Sequence, residues 1–252
     1  MTRNPLKAAL KERRKLPGLW LSLCSPTVTE IAAGAGTDWV LVDMEHAPGD
    51  LSQIADHLRA AQGSDAEIIV RPPFSEQVMI KRLLDIGTRN LMFPMIQTAE
   101  DARQAVSWTR YPPHGIRGIA ATVRANRYGR QVDYLQTYAE DMTIIVQVET
   151  PEAIANIPEI AAVEGVDCIF VGPGDLAASM GHAGNGSAPE VRAKIVEALN
   201  LIHDAGLPAG ILGYGEETAR GYLENDGFEF VAIAGDTWLL ARHMDAIVRA
   251  LK

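Results

Sequence analysis

The chain is short of several things, and each shortage removes a class of function. It has two cysteines in 252 residues, Cys24 and Cys168. Neither has the spacing of a zinc site or a redox pair, and both lie in apolar, strand-like runs, so both read as buried thiols. Positive charge is scarce: 23 lysines and arginines face 32 acids, for a net charge of -9. That balance argues against a nucleic-acid ligand, which needs a clustered basic excess. Only six of the 23 are lysines (Lys7, Lys11, Lys15, Lys81, Lys194 and Lys252), and each falls in a helical or terminal segment. Schiff-base chemistry needs a desolvated lysine, so it is disfavoured. No apolar run approaches the roughly 20 residues that span a bilayer. The first residues are polar and lead into a charged helix instead of a signal-peptide core, so a cytoplasmic protein with no membrane partner is expected. A Walker loop, a GxGxxG opening the first βα unit and a GxSxG elbow are also missing.

What is present is an ordinary globular composition, 47% hydrophobic and 22% charged, arranged with a regular beat. A helix is predicted from Pro5 to Lys15. Eight strand candidates follow: Leu19–Cys24, Trp39–Glu45, Ile68–Arg71, Asn90–Ile96, Thr143–Thr150, Val166–Val171, Pro208–Leu212 and Phe228–Ala234. Helical patterns alternate with them at Thr27–Gly34, Leu51–Gln62, Glu76–Ile86, Ala99–Arg110, Ala153–Ala162, Pro189–Ala205, Glu216–Glu224 and Asp236–Leu251. Eight βα units in a chain of this length predict an α/β fold, a closed (β/α)8 TIM barrel over residues 1–252 as a single domain. An open doubly wound sheet is the alternative. The beat breaks once, between residues 111 and 142, in a stretch carrying Arg124, Arg127 and Arg130. It follows a helix and precedes a strand, so it starts on the face opposite the expected active site. A segment this long is expected to pack against another subunit.

The chemistry gathers at the strand ends. Thr143–Thr150 begins as a buried strand and ends with Gln147 and Glu149, which share a face because strand side chains alternate. Pro151 and Glu152 suit the first turn of a helix, placing the pair at the C-terminal mouth. Three other strands close with Asp43-Met44-Glu45-His46, with Arg71-Pro72, and with Gly172-Pro173-Gly174-Asp175. Unpaired charge is costly inside a barrel, so one shared polar site is the simpler reading.

Glu149 and Asp175 lie one βα unit apart, and two such like charges repel unless a cation stands between them. Oxygen-only ligands with open positions suit Mg²⁺, Mn²⁺ or Co²⁺. The plainer alternative is that each carboxylate pairs with an arginine or caps a helix, Asp175 included. The Gly172-Pro173-Gly174 backbone can approach a ligand closely, and free amides at the helix start favour a carboxylate. His46 is the candidate general base, its tautomer fixed by Asp43 or another acid. Glu45 is a partner in the same group or a salt-bridge member. Arg71 is either an oxyanion-stabilising charge or a clamp on Glu45 or Glu149.

These segments in order, Trp39-Val-Leu-Val-Asp43-Met-Glu-His46-Ala-Pro48, Arg71-Pro72, Leu83-Leu-Asp85-Ile-Gly87, Arg110-Tyr-Pro-Pro113, Gly115-Ile-Arg-Gly118, Gln147-Val-Glu149-Thr150 and Phe170-Val-Gly-Pro-Gly-Asp175-Leu, resemble the class II, metal-dependent 2-oxo acid aldolases, relatives of citrate lyase β subunits. The resemblance runs over nearly the whole chain. It implies reversible aldol addition or cleavage between pyruvate or hydroxypyruvate and an aldehyde, giving 4-hydroxy-2-oxo acids. It makes Glu149 and Asp175 the ligands of Mg²⁺, Mn²⁺ or Co²⁺, His46 the base, Arg71 the stabiliser of the transition state and Gln147 a substrate contact. The amides of Gly174 and Asp175 would hold the substrate carboxylate. It also assigns to Asp85 the tuning of the histidine, which the strand ends alone had offered to Asp43. Glycine at 174 replaces the small residue that relatives often carry. A homohexamer, a trimer of dimers with the C-terminal helix exchanged between subunits, is implied too. The competing enzyme reading is a citrate-lyase-like or malyl-CoA-type lyase. The competing reading of another class is a non-catalytic metabolite-binding barrel. The natural aldehyde is not legible.

Overall fold

The structure is a computed structural model in which residues 4–252 are described. Eight parallel strands close a barrel in sequence order: β1 (Leu16–Leu21), β2 (Trp39–Asp43), β3 (Glu67–Arg71), β4 (Asn90–Phe93), β5 (Thr143–Val148), β6 (Cys168–Val171), β7 (Ala209–Leu212) and β8 (Phe230–Gly235). All eight expected strands are present and the open-sheet alternative is excluded. The helices are α1 (Pro5–Lys11), α2 (Pro26–Ala33), α3 (Leu51–Ala60), α4 (Gln77–Asp85), α5 (Ala99–Thr109), α6 (Tyr134–Asp141), α7 (Pro151–Ala155), α8 (Ile157–Ala161), α9 (Pro173–Ser179), α10 (Pro189–Asp204), α11 (Glu216–Arg220) and α12 (Asp236–Leu251). The helix expected over Ala153–Ala162 is broken at Asn156 into α7 and α8, and the one over Glu216–Glu224 continues past α11 as a π-turn. The 111–142 stretch is not all loop, for it holds a 3-10 turn at Arg124–Asn126 as well as α6.

Strand parity sorts the core into two shells. Val40, Val42, Val70, Ile144, Val146, Ile169 and Val171 point outward into the layer packed under the helices. Trp39, Leu41, Ile69, Met92, Ile145, Cys168, Phe170 and Phe230 fill the barrel interior. Gly18 belongs to this packing: a Cβ there would sit 2.0 Å from the Trp39 ring, which itself stacks on Phe230 at 4.1 Å. The foot of the barrel is plugged by Leu6, Ala9 and Leu10 of α1. The buried Asn4 caps that helix and donates to Asn90 Oδ1 at 2.6 Å and Thr143 Oγ1 at 2.9 Å. The inward-parity polar groups at the foot, Asn90 and Thr143, are tied up with Asn4, and the interior above them is filled, so polar groups that could meet a ligand are left to the last residues of the strands, at the mouth.

Candidate active site

Register brings the first group together. Asp43 of β2 lies directly opposite Arg71 of β3, and both continue the inward parity of Leu41 and Ile69. The guanidinium grips the carboxylate with two bonds, Nε to Oδ1 at 2.9 Å and Nη2 to Oδ2 at 2.7 Å. Its Nη1 reaches Glu45 Oε2 at 2.6 Å and Gln147 Oε1 at 3.5 Å. Trp20 of β1 supports both partners: its indole donates to Asp43 Oδ2 at 3.2 Å, and Arg71 lies over its ring at 4.7 Å. Burial alone would raise Asp43, yet the bonds and charge of Arg71, aided by Trp20, hold it below the usual carboxylate range. Glu45 is pushed up by burial, against the pull of Arg71.

The second group hangs from β5 and β6. Val148 pairs with Val171, so Glu149 faces Gly172 one step further on. A Cβ at Gly172 would lie 2.2 Å from Glu149 Oε1; glycine is what leaves room for this carboxylate. Glu149 is 3% exposed, accepts from the Met95 amide at 3.2 Å and has Gln147 Nε2 at 3.5 Å. Burial, and then the charge of Asp175, push its carboxyl up to about 7. Two weak donors do not compensate a buried carboxylate that faces a second acid, and a cation would. Among the described residues no group of three or more His, Cys, Asp or Glu is poised to hold a metal. The Glu149 and Asp175 pair is therefore an open, oxygen-only donor set, which fits a hard divalent cation whose remaining positions go to water and ligand. Asp175 sits in the first turn of α9, whose N-cap is Gly172. It is not itself a cap. Gly174 is next to it, exposed, with nothing within 4 Å of an added Cβ.

His46 lies just past β2 with its side chain 66% exposed, its Nε2 3.9 Å from Glu45 Oε2. Asp43 does not orient the ring: its carboxylate is committed to Arg71 and the Trp20 indole, and from this loop it accepts the backbone amides of Glu45 at 3.0 Å and His46 at 3.5 Å. Asp85 is not at its own mouth either. It ends α4, immediately before the foot of β4, and its carboxylate takes Arg117 Nη2 at 2.8 Å. Within one chain the two ends of the barrel separate Asp85 from His46. Cys168 is buried as expected, but Cys24 is only half-buried, because β1 ends at Leu21 and leaves it in the following turn.

Residues 16–242 match the HpcH/HpaI aldolase/citrate lyase family. The chain belongs to this family. A 4-hydroxy-2-oxo-heptane-1,7-dioate aldolase of Escherichia coli is 49% identical over 245 residues, covering 97% of this chain and 93% of its own. The aldolase of the same description from Klebsiella pneumoniae is 48% identical over 245 residues. The crystal structure of a family member from Burkholderia cenocepacia superposes with a TM-score of 0.94 at 41% identity, covering 98% of this chain and 99% of its own. A family aldolase from Desulfitobacterium hafniense gives 0.90 at 28% identity, covering 98% and 96%.

Two members of this family site escaped the sequence reading. Trp20 carries a signal that was available, since it shares the inward parity of β1, but an apolar strand gives no reason to expect a polar use of its indole. Met95 has none: it contributes a backbone amide from a left-handed residue, φ 55.

Proposed function

We propose that this chain is a metal-dependent carbon–carbon lyase of the pyruvate-aldolase type, cleaving and forming 4-hydroxy-2-oxo acids. The observation that carries the reading is the under-compensated Glu149 beside Asp175, with Arg71 and Gln147 on the same floor. Glu149 and Asp175 would hold Mg²⁺, Mn²⁺ or Co²⁺. When bound there, such a cation supplies Lewis-acid polarisation of a 2-oxo acid.

The chain's own residues do the rest. Gln147, between Arg71 and Glu149, orients the oxo acid, and the amides of Gly174 and Asp175 receive its carboxylate. His46 Nε2, exposed at the rim, carries the proton between C3 and the aldehyde oxygen: in the forming direction it takes the proton from C3 and gives it to the new 4-oxygen, and in cleavage it takes the 4-hydroxyl proton and returns it to C3. Arg71, its plane set by two bonds to Asp43, donates to the oxygen that gains charge. Asp43 thus acts through Arg71 and not through the histidine. Any effect of Asp85 on His46 has to come from another copy of the chain, which agrees with the proposed hexamer. So does α12, which leaves Leu239, Leu240, Met244, Ile247 and Val248 exposed along one helix.

The experiment is release of pyruvate or hydroxypyruvate from a panel of 4-hydroxy-2-oxo acids, before and after dialysis against a chelator, with Mg²⁺, Mn²⁺ and Co²⁺ added back. Turnover restored by metal is expected. Turnover indifferent to the chelator, or borohydride trapping of a lysine adduct, overturns the reading. Silence on every free acid together with cleavage of a thioester substrate would favour the CoA-type lyase.

A further inference from the structure

Residues 102–132 contain six arginines and no Asp or Glu, in a protein of net charge -9. Two of the six pair with carboxylates, Arg103 with Glu100 and Arg117 with Asp85, and Arg110, away from the other three, donates to the Ala139 carbonyl. The other three do not meet a carboxylate. Arg124 Nη1 donates to Ile86 O at 2.9 Å and Arg130 Nη1 to Arg127 O at 3.1 Å. Among the described residues no acid lies within ion-pair distance of Arg124, Arg127 or Arg130.

All three line one cavity of about 560 Å³, together with Tyr128 and Tyr134. It lies at the feet of β4 and β5, the end of the barrel away from the same chain's catalytic mouth; Arg89 and Met142, which directly precede those strands, border it, and so does one acid, Asp141, which has a partner of its own. The wall that bears the arginines is rigidly made. Asn126 is buried, and its Oδ1 accepts the amides of Val123 at 3.1 Å and Gly129 at 2.9 Å while its Nδ2 donates to Ala121 O at 2.9 Å. Arg127 and Tyr128 are consecutive left-handed residues, φ 54 and 57, a backbone that side-chain-bearing residues adopt only when the surroundings enforce it.

Three guanidinium groups around one cavity repel one another, and each presents planar donors that match phosphate or carboxylate oxygens. We propose that this foot cavity binds a small anion carrying two or more negative charges, a phosphate ester or a polycarboxylate, through Arg124, Arg127 and Arg130.

The test is calorimetric titration of metal-free protein carrying Glu149→Gln, so that metal at the mouth plays no part. The probes are pyrophosphate and propane-1,2,3-tricarboxylate at fixed ionic strength. One of them is expected to bind at one site per chain, and the tighter of the two names the source of the anion. Adding Arg127→Ala and Arg130→Ala should weaken it at least tenfold, while Arg127→Lys with Arg130→Lys retains part of the affinity. No saturable binding of either probe, or binding untouched by the alanine pair, overturns the proposal. So does a wild-type chain that binds neither anion but falls to a smaller assembly on Arg127→Glu with Arg130→Glu, since the arginines would then serve a second copy.

Discussion

Glu149→Gln replaces a buried carboxyl by an amide of the same shape and removes a single titration. The Glu149 carboxyl is pushed up to about 7 in the folded protein by burial and by Asp175, from an ordinary value of 4.5. Between those values the folded chain keeps a proton that the unfolded chain has released, so the stability of the metal-free protein falls as pH rises through the window. At about 1.4 kcal/mol per unit of pH the whole effect is about 3 kcal/mol, of which about 2–3 kcal/mol accrues between pH 5 and pH 8. Glutamine has nothing to titrate.

Urea denaturation of chelator-treated protein, followed by circular dichroism at one protein concentration, should therefore show the variant gaining on the wild type by that amount across the window. Saturating Mn²⁺ should reverse the order, because the cation stabilises only a chain that offers the carboxylate. Its apparent affinity should fall about tenfold per unit below pH 7, where the proton competes. A wild-type-to-variant gap that does not change with pH would refute the claim that Glu149 is an under-compensated charge awaiting a cation.

Other outcomes follow from neighbouring contacts. Gly172→Ala places a methyl where Glu149 Oε1 sits; metal affinity measured by Mn²⁺ titration should drop at least tenfold with the fold retained, and unchanged affinity would contradict the cradle. Asp43→Asn removes the two-bond partner of the buried Arg71 and leaves it only the contact with Glu45, at about 3 kcal/mol of stability near neutral pH. Because Asp43 is held below its usual range, the wild-type advantage is present above the unfolded pKa and is lost as pH falls through the folded one; acid titration of both proteins checks the convergence. Met244→Glu with Ile247→Glu puts charge on the exposed apolar face of α12, and light scattering should show a smaller assembly than the wild type.

Which of these contacts were legible beforehand depends on where their partners sit. The strands and the inward placing of Asp43, Arg71, Gln147 and Glu149 follow from parity, which is a property of one strand at a time. The start of β1 is harder: the strand is expected over Leu19–Cys24, yet it begins at Leu16 and holds Gly18 inside it, because Trp39 needs the space above that glycine. Helix α6 was hidden because only Tyr138 of its face is buried, too short a stripe to show a period. Asp85 is the instructive case. The end of α4 must lead down to the foot of β4 in any βα barrel, so topology already opposed a place at the same chain's mouth.

Arg71 shows why a site can be located from sequence while its roles stay open. Strand position left two readings, a charge for the reaction or a clamp on an acid, as though they were exclusive. Of the five guanidinium N–H groups, two are spent on Asp43 and Nη1 turns to Glu45 and Gln147. One Nη2 hydrogen is left, and the Glu45 contact is held by a carboxyl that burial already disfavours as an anion. A substrate oxygen arriving at the floor of the mouth can therefore take the open hydrogen, or displace Glu45, without disturbing the pair with Asp43. The clamp is what keeps the catalytic charge aimed.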